Sequence, residues 1–225
     1  MGKLIVIEGL DGSGKATQAT LLAKHFASLQ QMDERQKKVR KVSFPDYESQ
    51  SSTLVKMYLA GEFGQKPGDV NAYAASSFYA VDRYASFKKD WEEVYQSGIV
   101  IADRYTTSNA IHQCSKLDER EWDGFLEWLF DFEYKKLCIP EPDAVVYLRV
   151  DPAVSQELLK NRYNGDLSHE DIHEKDREYL NRCQKAADYC AEKLGWKTVE
   201  CTEDGHMRSI EDIHKDICRL LSESS

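Results

Sequence analysis

The stretch LIVIEGLDGSGK, residues 4–15, joins an apolar run of strand length to a glycine-rich turn that ends in a lysine. A helical pattern begins directly after it, at Lys15. Glycines let backbone N–H groups converge on an anion, a helix N-terminus favours negative charge, and a lysine can reach terminal phosphates. Strand, loop and helix in this order predict a phosphate-binding loop that holds a nucleoside triphosphate.

The loop matches the pattern G-x-x-x-x-G-K in full and departs from it at the next position. Ala16 stands where a serine or threonine would contact Mg²⁺, and Thr17 follows one place later. A chance glycine-rich turn is the alternative, which the flanking strand and helix disfavour. The residues expected to bind the ATP phosphates are Gly9, Leu10, Asp11, Gly12, Ser13, Gly14, Lys15, Ala16 and Thr17.

Length and composition favour one large α/β domain, because 225 residues can bury a sizeable single core. The net charge of −9 argues against nucleic acid as a partner, since phosphate backbones require a basic surface. The six cysteines are scattered and form no C-x-x-C pair, and no apolar run approaches the ~20 residues of a membrane span. We therefore expect a reduced, cytoplasmic protein with no membrane partner.

Five apolar runs predict strands, and several are continuous rather than alternating, as in parallel strands that are covered on both faces. The strands are expected at Leu4–Glu8, Lys41–Phe44, Ile99–Asp103, Ala144–Val150 and Lys197–Cys201. Helical patterns of crossover length lie between them, so a parallel sheet wrapped by helices follows. Helices are expected from Lys15 to about Gln30, at Val70–Gln96, Glu119–Lys136, Ala153–Arg162, Glu170–Leu194 and Ile210–Leu221, with a further helix opening at Thr107–Asn109.

Polar residues follow two further strands at their carboxyl ends. Asp103 and Arg104 close the third predicted strand, and Phe44-Pro45-Asp46-Tyr47 follows the second. In a doubly wound sheet, ligands bind beyond these strand ends. The Asp103 carboxylate is suited to Mg²⁺ or its waters, and the Arg104 guanidinium to bidentate phosphate binding. A structural ion pair is the alternative for these two residues.

Several motifs occur together in a fixed order. They are the phosphate loop with an internal acid, Phe44-Pro45, a helix with Tyr79 four residues before Arg83, Asp103-Arg104-Tyr105, and P-D-x-x-x-x-L at Pro142–Leu148. In these motifs the chain resembles, from end to end, the thymidylate kinase family of P-loop nucleoside monophosphate kinases. The resemblance implies a P-loop kinase fold with a five-stranded parallel sheet, as a single domain over residues 1–225 with a lid at about 163–173. It also implies Mg²⁺-dependent transfer of the ATP γ-phosphate to dTMP, giving dTDP, by a homodimer packed through long helices.

The resemblance also implies roles for individual residues. Asp11 would bond the 3′-hydroxyl of the deoxynucleotide, and Tyr79 would stack on the thymine ring. Arg83 and Asn109 would contact the base, and Arg104 the acceptor phosphate, which Tyr47 would help to enclose. The full substrate set is Asp11, Phe44, Pro45, Tyr47, Tyr79, Arg83, Arg104, Ser108, Asn109 and His112, and the catalytic set is Lys15, Asp103, Arg104 and Arg162, with Asp103 also bearing on Mg²⁺.

The chain departs from the family pattern at three places. Ala16 removes a usual Mg²⁺-ligating hydroxyl, and His112 stands where many members have a tyrosine near the sugar. The phosphate loop also lacks an arginine, so the lid is expected to supply the transition-state cation, with Arg162 as the best candidate. These departures keep two alternatives open: a kinase for another deoxynucleotide or deoxynucleoside, and a nucleotide-binding protein with little or no catalysis.

A second motif points to different chemistry. His169-Glu170-Asp171-Ile172-His173 satisfies H-E-x-x-H, the signature of zinc hydrolases, with Glu192 downstream as a possible third ligand. That motif normally lies on a buried helix, whereas this copy is surrounded by charged residues and follows a glycine-bearing turn. We interpret it as a coincidence on a solvated face.

Overall fold

The computed structural model describes residues 2–31, 38–151, 153–155, 158 and 177–223. Its central sheet has five parallel strands in the order β2–β3–β1–β4–β5. The strands are β1 (Lys3–Gly9), β2 (Val39–Ser43), β3 (Ile99–Asp103), β4 (Ala144–Arg149) and β5 (Lys197–Glu200). The predicted parallel sheet of five strands is confirmed, with some strand ends displaced by one or two residues. Because β1 has a strand on each side, the loop that follows it starts from the middle of the sheet.

Eight α-helices surround the sheet in the described part of the chain. They are α1 (Lys15–Gln31), α2 (Thr53–Leu59), α3 (Ala72–Ser86), α4 (Glu92–Ser97), α5 (Thr106–Cys114), α6 (Trp122–Phe130), α7 (Arg177–Lys193) and α8 (Ile210–Ser222). A short antiparallel pair, β6 (Thr202–Glu203) and β7 (His206–Met207), follows β5. No helix among the described residues combines the length and the apolar character that crossing a membrane requires.

Two predicted helices are present but are not regular throughout. The helix expected over Val70–Gln96 consists of α3, a π-helical turn at Phe87–Trp91 and α4 in direct succession. It begins at Ala72 because the side chain of Asn71 caps it, accepting a hydrogen bond from the Ala74 N–H. The helix expected over Glu119–Lys136 likewise consists of a 3₁₀ turn, α6 and a second π-helical turn, Asp131–Lys136.

Both faces of the sheet are buried, as the continuous apolar runs predict. Along β1, Ile5 and Ile7 face a core shared with α1 and α8. Leu4 and Val6 face the opposite core, which includes Trp91 from the π-helical turn after α3. β1 therefore lies between two packed layers, and the phosphate loop begins where this strand ends.

Several predictions fall outside the described residues. These are the lid at 163–173, Arg162 and the H-E-x-x-H motif. Of the helix expected at Ala153–Arg162, residues 153–155 and 158 are described and are helical. Of the helix expected at Glu170–Leu194, the described part is α7.

Candidate active site

The phosphate loop, residues 9–15, connects the end of β1 to the start of α1. Gly12 and Gly14 have φ values of 81° and 82°, a left-handed conformation that glycine adopts without steric cost. The Lys15 ammonium donates to the Leu10 carbonyl at 2.7 Å, which folds the side chain back over the loop. The Ser13 hydroxyl is buried and has no hydrogen-bond partner among the described residues, so the loop retains unused hydrogen-bonding capacity.

Lys15 is buried, and its charge is therefore costly in the folded chain. Burial, followed by the nearby Arg104 guanidinium, lowers the pKa of Lys15 from 10.5 to about 8. The carboxylates of Asp11, Glu8 and Asp103 oppose that shift. An ammonium in this state gains more from an anionic ligand than an exposed lysine does, since the ligand would neutralise a poorly solvated cation.

Arg104 follows β3 directly and has a left-handed backbone, with φ 65°. A non-glycine residue in this conformation is strained by about 1 kcal/mol or more and is held there by its surroundings. Its N–H donates to the Ile7 carbonyl of β1 at 3.1 Å. The turn ends the strand next to the phosphate loop, on the side where parallel-sheet proteins bind ligands.

The guanidinium of Arg104 joins the loop to α5. It pairs with the Asp11 carboxylate and donates to the Ser108 hydroxyl at 3.3 Å. Burial lowers the pKa of this guanidinium, but Asp11, Glu8 and Asp103 raise it, and the net shift is upward. Arg104 is therefore a permanent cation in a site that already contains several carboxylates.

The carboxylate of Glu8 organises the N-terminal turn of α5. It is fully buried at the end of β1, and it accepts hydrogen bonds from the Thr107 hydroxyl at 2.7 Å and the Ser108 hydroxyl at 2.9 Å. Its Oε1 atom also lies 3.9 Å from Nη1 of Arg104. Anions are favoured at helix N-termini, which helps to compensate for the burial of this charge. Sequence reasoning missed Glu8, although a charged residue that closes an apolar strand is a signal for such a role.

His112 lies one helical turn beyond Ser108 and is neutral. Burial, followed by the Arg104 cation, lowers the pKa of its imidazole to about 3. Arg104 Nη1 lies 3.3 Å from Nε2, which therefore accepts, and Nδ1 lies 3.3 Å from the Tyr179 hydroxyl of α7. The Tyr179 hydroxyl in turn donates to the His112 carbonyl at 3.1 Å. A neutral imidazole thus orients Arg104, and Tyr179 is a further residue that the sequence analysis missed.

A second polar network lies beside the first, around the fully buried Glu133. Its carboxylate accepts from Arg83 Nε at 2.7 Å and from Arg83 Nη2 at 2.5 Å, forming a bidentate pair. The Thr106 hydroxyl donates to it at 2.9 Å and the Asn109 amide at 3.3 Å. Burial lowers the pKa of Arg83 and Glu133 raises it, with a net upward shift. Because Glu133 engages both Arg83 and Asn109, their contacts with the base remain predictions.

The residues after β2 differ in how accessible they are. Phe44 is buried in the core, and its ring centroid lies 5.9 Å from that of Tyr105. Its side chain therefore packs behind the site and is not exposed to a ligand. The Phe44–Pro45 peptide bond is cis. The side chain of Tyr47 is 52% exposed, and Tyr79 is partly buried with its ring edge-on to Tyr58 at 6.4 Å.

The turn that carries Pro45 and Tyr47 is fixed by α3. The Asp82 carboxylate of that helix accepts from the Asp46 N–H at 2.8 Å and from the Ser51 hydroxyl at 2.5 Å. Burial raises the pKa of Asp82, while these hydrogen bonds oppose the shift. Asp82 lies between Tyr79 and Arg83, and its role was not predicted from the sequence.

The structure thus gathers most of the predicted site at one edge of the sheet. A family model described as thymidylate kinase matches residues 7–217, which include all of these elements. The chain belongs to the thymidylate kinase family. Members of this family phosphorylate dTMP to dTDP with ATP as the phosphate donor. The predicted resemblance, fold class and enzyme class are confirmed.

Relatives named thymidylate kinase cover nearly the whole chain. The human protein is 28% identical and aligns over 100% of this chain and 91% of its own length. A probable thymidylate kinase of Thermococcus gammatolerans is 31% identical over 99% of this chain and 97% of its own length. Among solved structures, thymidylate kinase of Candida albicans superposes with a TM-score of 0.67 at 20% identity, covering 99% of this chain and 92% of its own. That of Ehrlichia chaffeensis gives 0.65 at 20% identity, over 98% of each chain.

Proposed function

We propose that this member of the thymidylate kinase family holds the ATP phosphates and the phosphate of dTMP on either side of one charged cluster. The observation that supports this most directly is the position of Arg104 between the phosphate loop and α5. The loop offers backbone N–H groups, the buried Lys15 and the start of a helix to the donor. Arg104 and α5 offer cationic and hydroxyl groups to the acceptor.

In this proposal, the ion pair between Arg104 and Asp11 is present only until substrate binds. When the acceptor phosphate binds, it takes over the Arg104 guanidinium, and Asp11 becomes available to the 3′-hydroxyl of the sugar. The neutral imidazole of His112 and the hydroxyl of Ser108 hold the guanidinium in place throughout. His112 thereby keeps a positioning role although it differs from the tyrosine that many members carry.

The chemical step needs alignment and charge neutralisation more than a base. The acceptor phosphate is already an anion near neutral pH, so no residue must remove a proton before attack. Lys15 moves from the Leu10 carbonyl to the transferring phosphate, and Arg104 balances the charge on the acceptor. Water must be excluded because it would compete as the acceptor.

Mg²⁺ is a suitable cofactor for this set of side chains. Hard divalent cations of this kind bind one or two carboxylates together with substrate phosphates and water. Asp103 ends β3 beside the loop and acts electrostatically on both Lys15 and Arg104, so we assign the metal to its carboxylate. The ion would neutralise charge on the phosphates. Because residue 16 is alanine, no loop hydroxyl would contact the metal ion at that position.

The remaining assignments rest on the family. We propose a single kinase domain over residues 1–225, with residues 163–173 as the lid that covers the phosphates. Arg162 is our candidate for the lid cation, since the phosphate loop contains no arginine. All six cysteines are free thiols, which is consistent with a reducing cytoplasmic location.

We also propose that two copies of this chain associate through α3. Three large apolar side chains of this helix, Tyr73, Val81 and Tyr84, are 44%, 43% and 42% exposed. Tyr73 also contacts α6, because its ring lies edge-on to that of Trp128 with 4.6 Å between the ring centroids. A run of exposed apolar residues on neighbouring helices is typical of an interface between subunits.

A coupled ADP-release assay tests the proposed function. ATP and Mg²⁺ are supplied with dTMP, dUMP, dCMP, dGMP, dAMP or thymidine as the acceptor. We expect selective turnover of dTMP that is lost on chelation of Mg²⁺. Turnover of another acceptor instead of dTMP would contradict the proposed substrate and the roles given to Tyr79, Asn109 and His112. ATP binding without any turnover would contradict the catalytic proposal.

A further inference from the structure

Three metal-ligating side chains meet between α1 and α8, away from the phosphate loop. His25 lies on α1, and His214 and Cys218 lie one turn apart on α8. One ligand atom from each residue lies within 4.8 Å of the other two. All three residues are partly buried, so water and ions can reach the cluster.

The spacing within the cluster fits a tetrahedral metal site. Cys218 Sγ lies 3.6 Å from His214 Nε2. Two ligands on one zinc ion, with Zn–N of about 2.0–2.1 Å and Zn–S of about 2.3 Å, are separated by about 3.6 Å. Two of the three ligands are therefore already at a bonding separation. Bringing His25 to the N–N separation of about 3.4 Å expected in the same geometry needs a shift of at most about 1.4 Å.

The ring of His214 also has unused bonding capacity. Its Nδ1 atom is buried and has no hydrogen-bond partner among the described residues. Nδ1 is not the nitrogen beside Cys218 Sγ, so it can carry the ring proton while Nε2 binds a metal. A hydrogen bond between the Cys218 thiol and the imidazole accounts for one ring nitrogen of His214 at most.

The two helices that carry the cluster are fixed relative to each other. Gln18 of α1 donates to the Ile210 carbonyl at the start of α8, at 2.9 Å. His25 lies seven residues after Gln18, and His214 and Cys218 lie four and eight residues after Ile210, so the helices run side by side in the same direction. Both helices pack on the core that includes Leu22 and Ile217. The cluster is about 15 Å along α1 from Lys15, and so it is separate from the nucleotide site.

We propose that His25, His214 and Cys218 bind a zinc ion, or a divalent ion of similar softness, which joins α1 to α8. Imidazole and thiolate are the ligands that such ions prefer, and water would complete the fourth position. Cys218 loses its thiol proton to solvent as the metal–sulfur bond forms, and the metal keeps its oxidation state. The site requires nothing of the kinase reaction, and it would stabilise the helix that begins at the phosphate loop.

Cobalt titration of the metal-free full-length protein tests the proposal directly. Thiolate bonded to Co²⁺ gives a sulfur-to-metal charge-transfer band, and tetrahedral Co²⁺ gives strong visible bands. We expect both bands to saturate at one Co²⁺ per chain and to disappear when Zn²⁺ is added. Cys218→Ser should abolish the charge-transfer band, whereas Cys138→Ser, which changes an exposed cysteine outside the cluster, should leave it intact.

The H-E-x-x-H motif supplies a second control, because it could bind zinc by itself. His173→Ala should leave the cobalt spectrum unchanged. His25→Gln should weaken zinc binding by more than the roughly 10–100-fold that loss of an outer-shell partner costs. An unchanged band in Cys218→Ser, or its loss in His173→Ala, would overturn the proposal.

Thermal unfolding provides an independent measurement. Zinc should raise the Tm of the wild-type chain, because a ligand that binds the folded state stabilises it. The increase should be absent in His25→Gln and Cys218→Ser, while their metal-free Tm values show that both variants are folded. An equal increase in all three proteins would place the ion elsewhere and contradict the assignment.

Discussion

Arg104 is the residue on which the proposed chemistry depends most. In the described part of the chain, Arg104 is the one side chain that contacts the phosphate loop, Glu8 and α5 together. We expect Arg104→Ala to lower kcat for dTMP by about 10³-fold or more, by analogy with other phosphoryl-transfer arginines. Steady-state kinetics measure this loss, and circular dichroism establishes that the variant is folded. Near-normal turnover would remove Arg104 from the mechanism.

Lys15 should show a trade-off between function and stability. Its pKa is lowered from 10.5 to about 8, chiefly by burial and then by Arg104. Below pH 8 the folded and unfolded chains both carry the charge, so the folded state bears the full cost of burying it. Between pH 8 and 10.5 the folded chain loses the proton first, and stability rises with pH. The shift corresponds to roughly 3 kcal/mol against the charged form.

We therefore expect Lys15→Met to raise the free energy of unfolding at pH 7, by at most roughly 3 kcal/mol, while abolishing turnover. The gain should shrink as the pH rises from 8 toward 10.5. Urea unfolding at pH 7 and pH 10 measures it. Lys24→Met, at an exposed position of the same helix, should change little at either pH. A less stable Lys15→Met at pH 7 would contradict this account.

At the residue level, the sequence singled out Lys15, Arg104 and the Asp11 carboxylate that pairs with Arg104, and it missed Glu8. Lys15 and Arg104 lie in short motifs whose spacing carries their chemistry. Glu8 is one acidic residue among 39 Asp and Glu, and its importance comes from Thr107 and Ser108, which are distant in sequence. The charge at the end of an apolar run marks Glu8 as unusual, but a single sequence does not show that Thr107 and Ser108 are its partners.

The elements around Glu133 are joined by one buried ion pair. Arg83 comes from α3, and Glu133 from the π-helical turn after α6. Removing one partner leaves the other charge buried, which costs about 3–5 kcal/mol. We expect Glu133→Gln to lower the free energy of unfolding by this order, as measured in urea. The double variant Arg83→Met/Glu133→Leu should recover much of the loss, because it buries no charge.

The same π-helical turn offers a matched control for the ion pair. Asp131 pairs with Lys136 at 3.1 Å, and both side chains are exposed. Asp131→Asn should cost less than about 1 kcal/mol, as exposed pairs do. Equal losses for Asp131→Asn and Glu133→Gln would show that burial of Glu133 contributes nothing special.

At the level of elements, the sequence predicted the kinds of structure better than their interruptions. Apolar runs identified all five strands of the sheet, because parallel strands are apolar on both faces. The π-helical turns at Phe87–Trp91 and Asp131–Lys136 were not predicted, since helical spacing continues through them. The short helix α2 was also missed, because its seven residues carry too little periodicity.

The assembly of the whole molecule can be tested on α3. Val81 is 43% exposed at the centre of the proposed subunit interface. Val81→Glu should convert a dimer into monomers, because the interface would have to bury an unpaired charge. Analytical ultracentrifugation of the wild type and the variant measures this change. Leu29→Glu, at a 47% exposed position on α1, should leave the mass unchanged. A wild-type monomer, or a dimeric Val81→Glu, would contradict the proposed interface.

The central place of β1 has a consequence for how the chain is made. Residues 3–9 are synthesised well before the two strands that flank them, residues 99–103 and 144–149. At roughly 5–20 residues per second, synthesis of the second neighbour is complete only after about 7–30 s. Until then at least one edge of the apolar strand that carries the phosphate loop has no strand to pair with. A buried central strand is thus exposed to aggregation while its partners are still being made, and shielding by chaperones during synthesis would protect it.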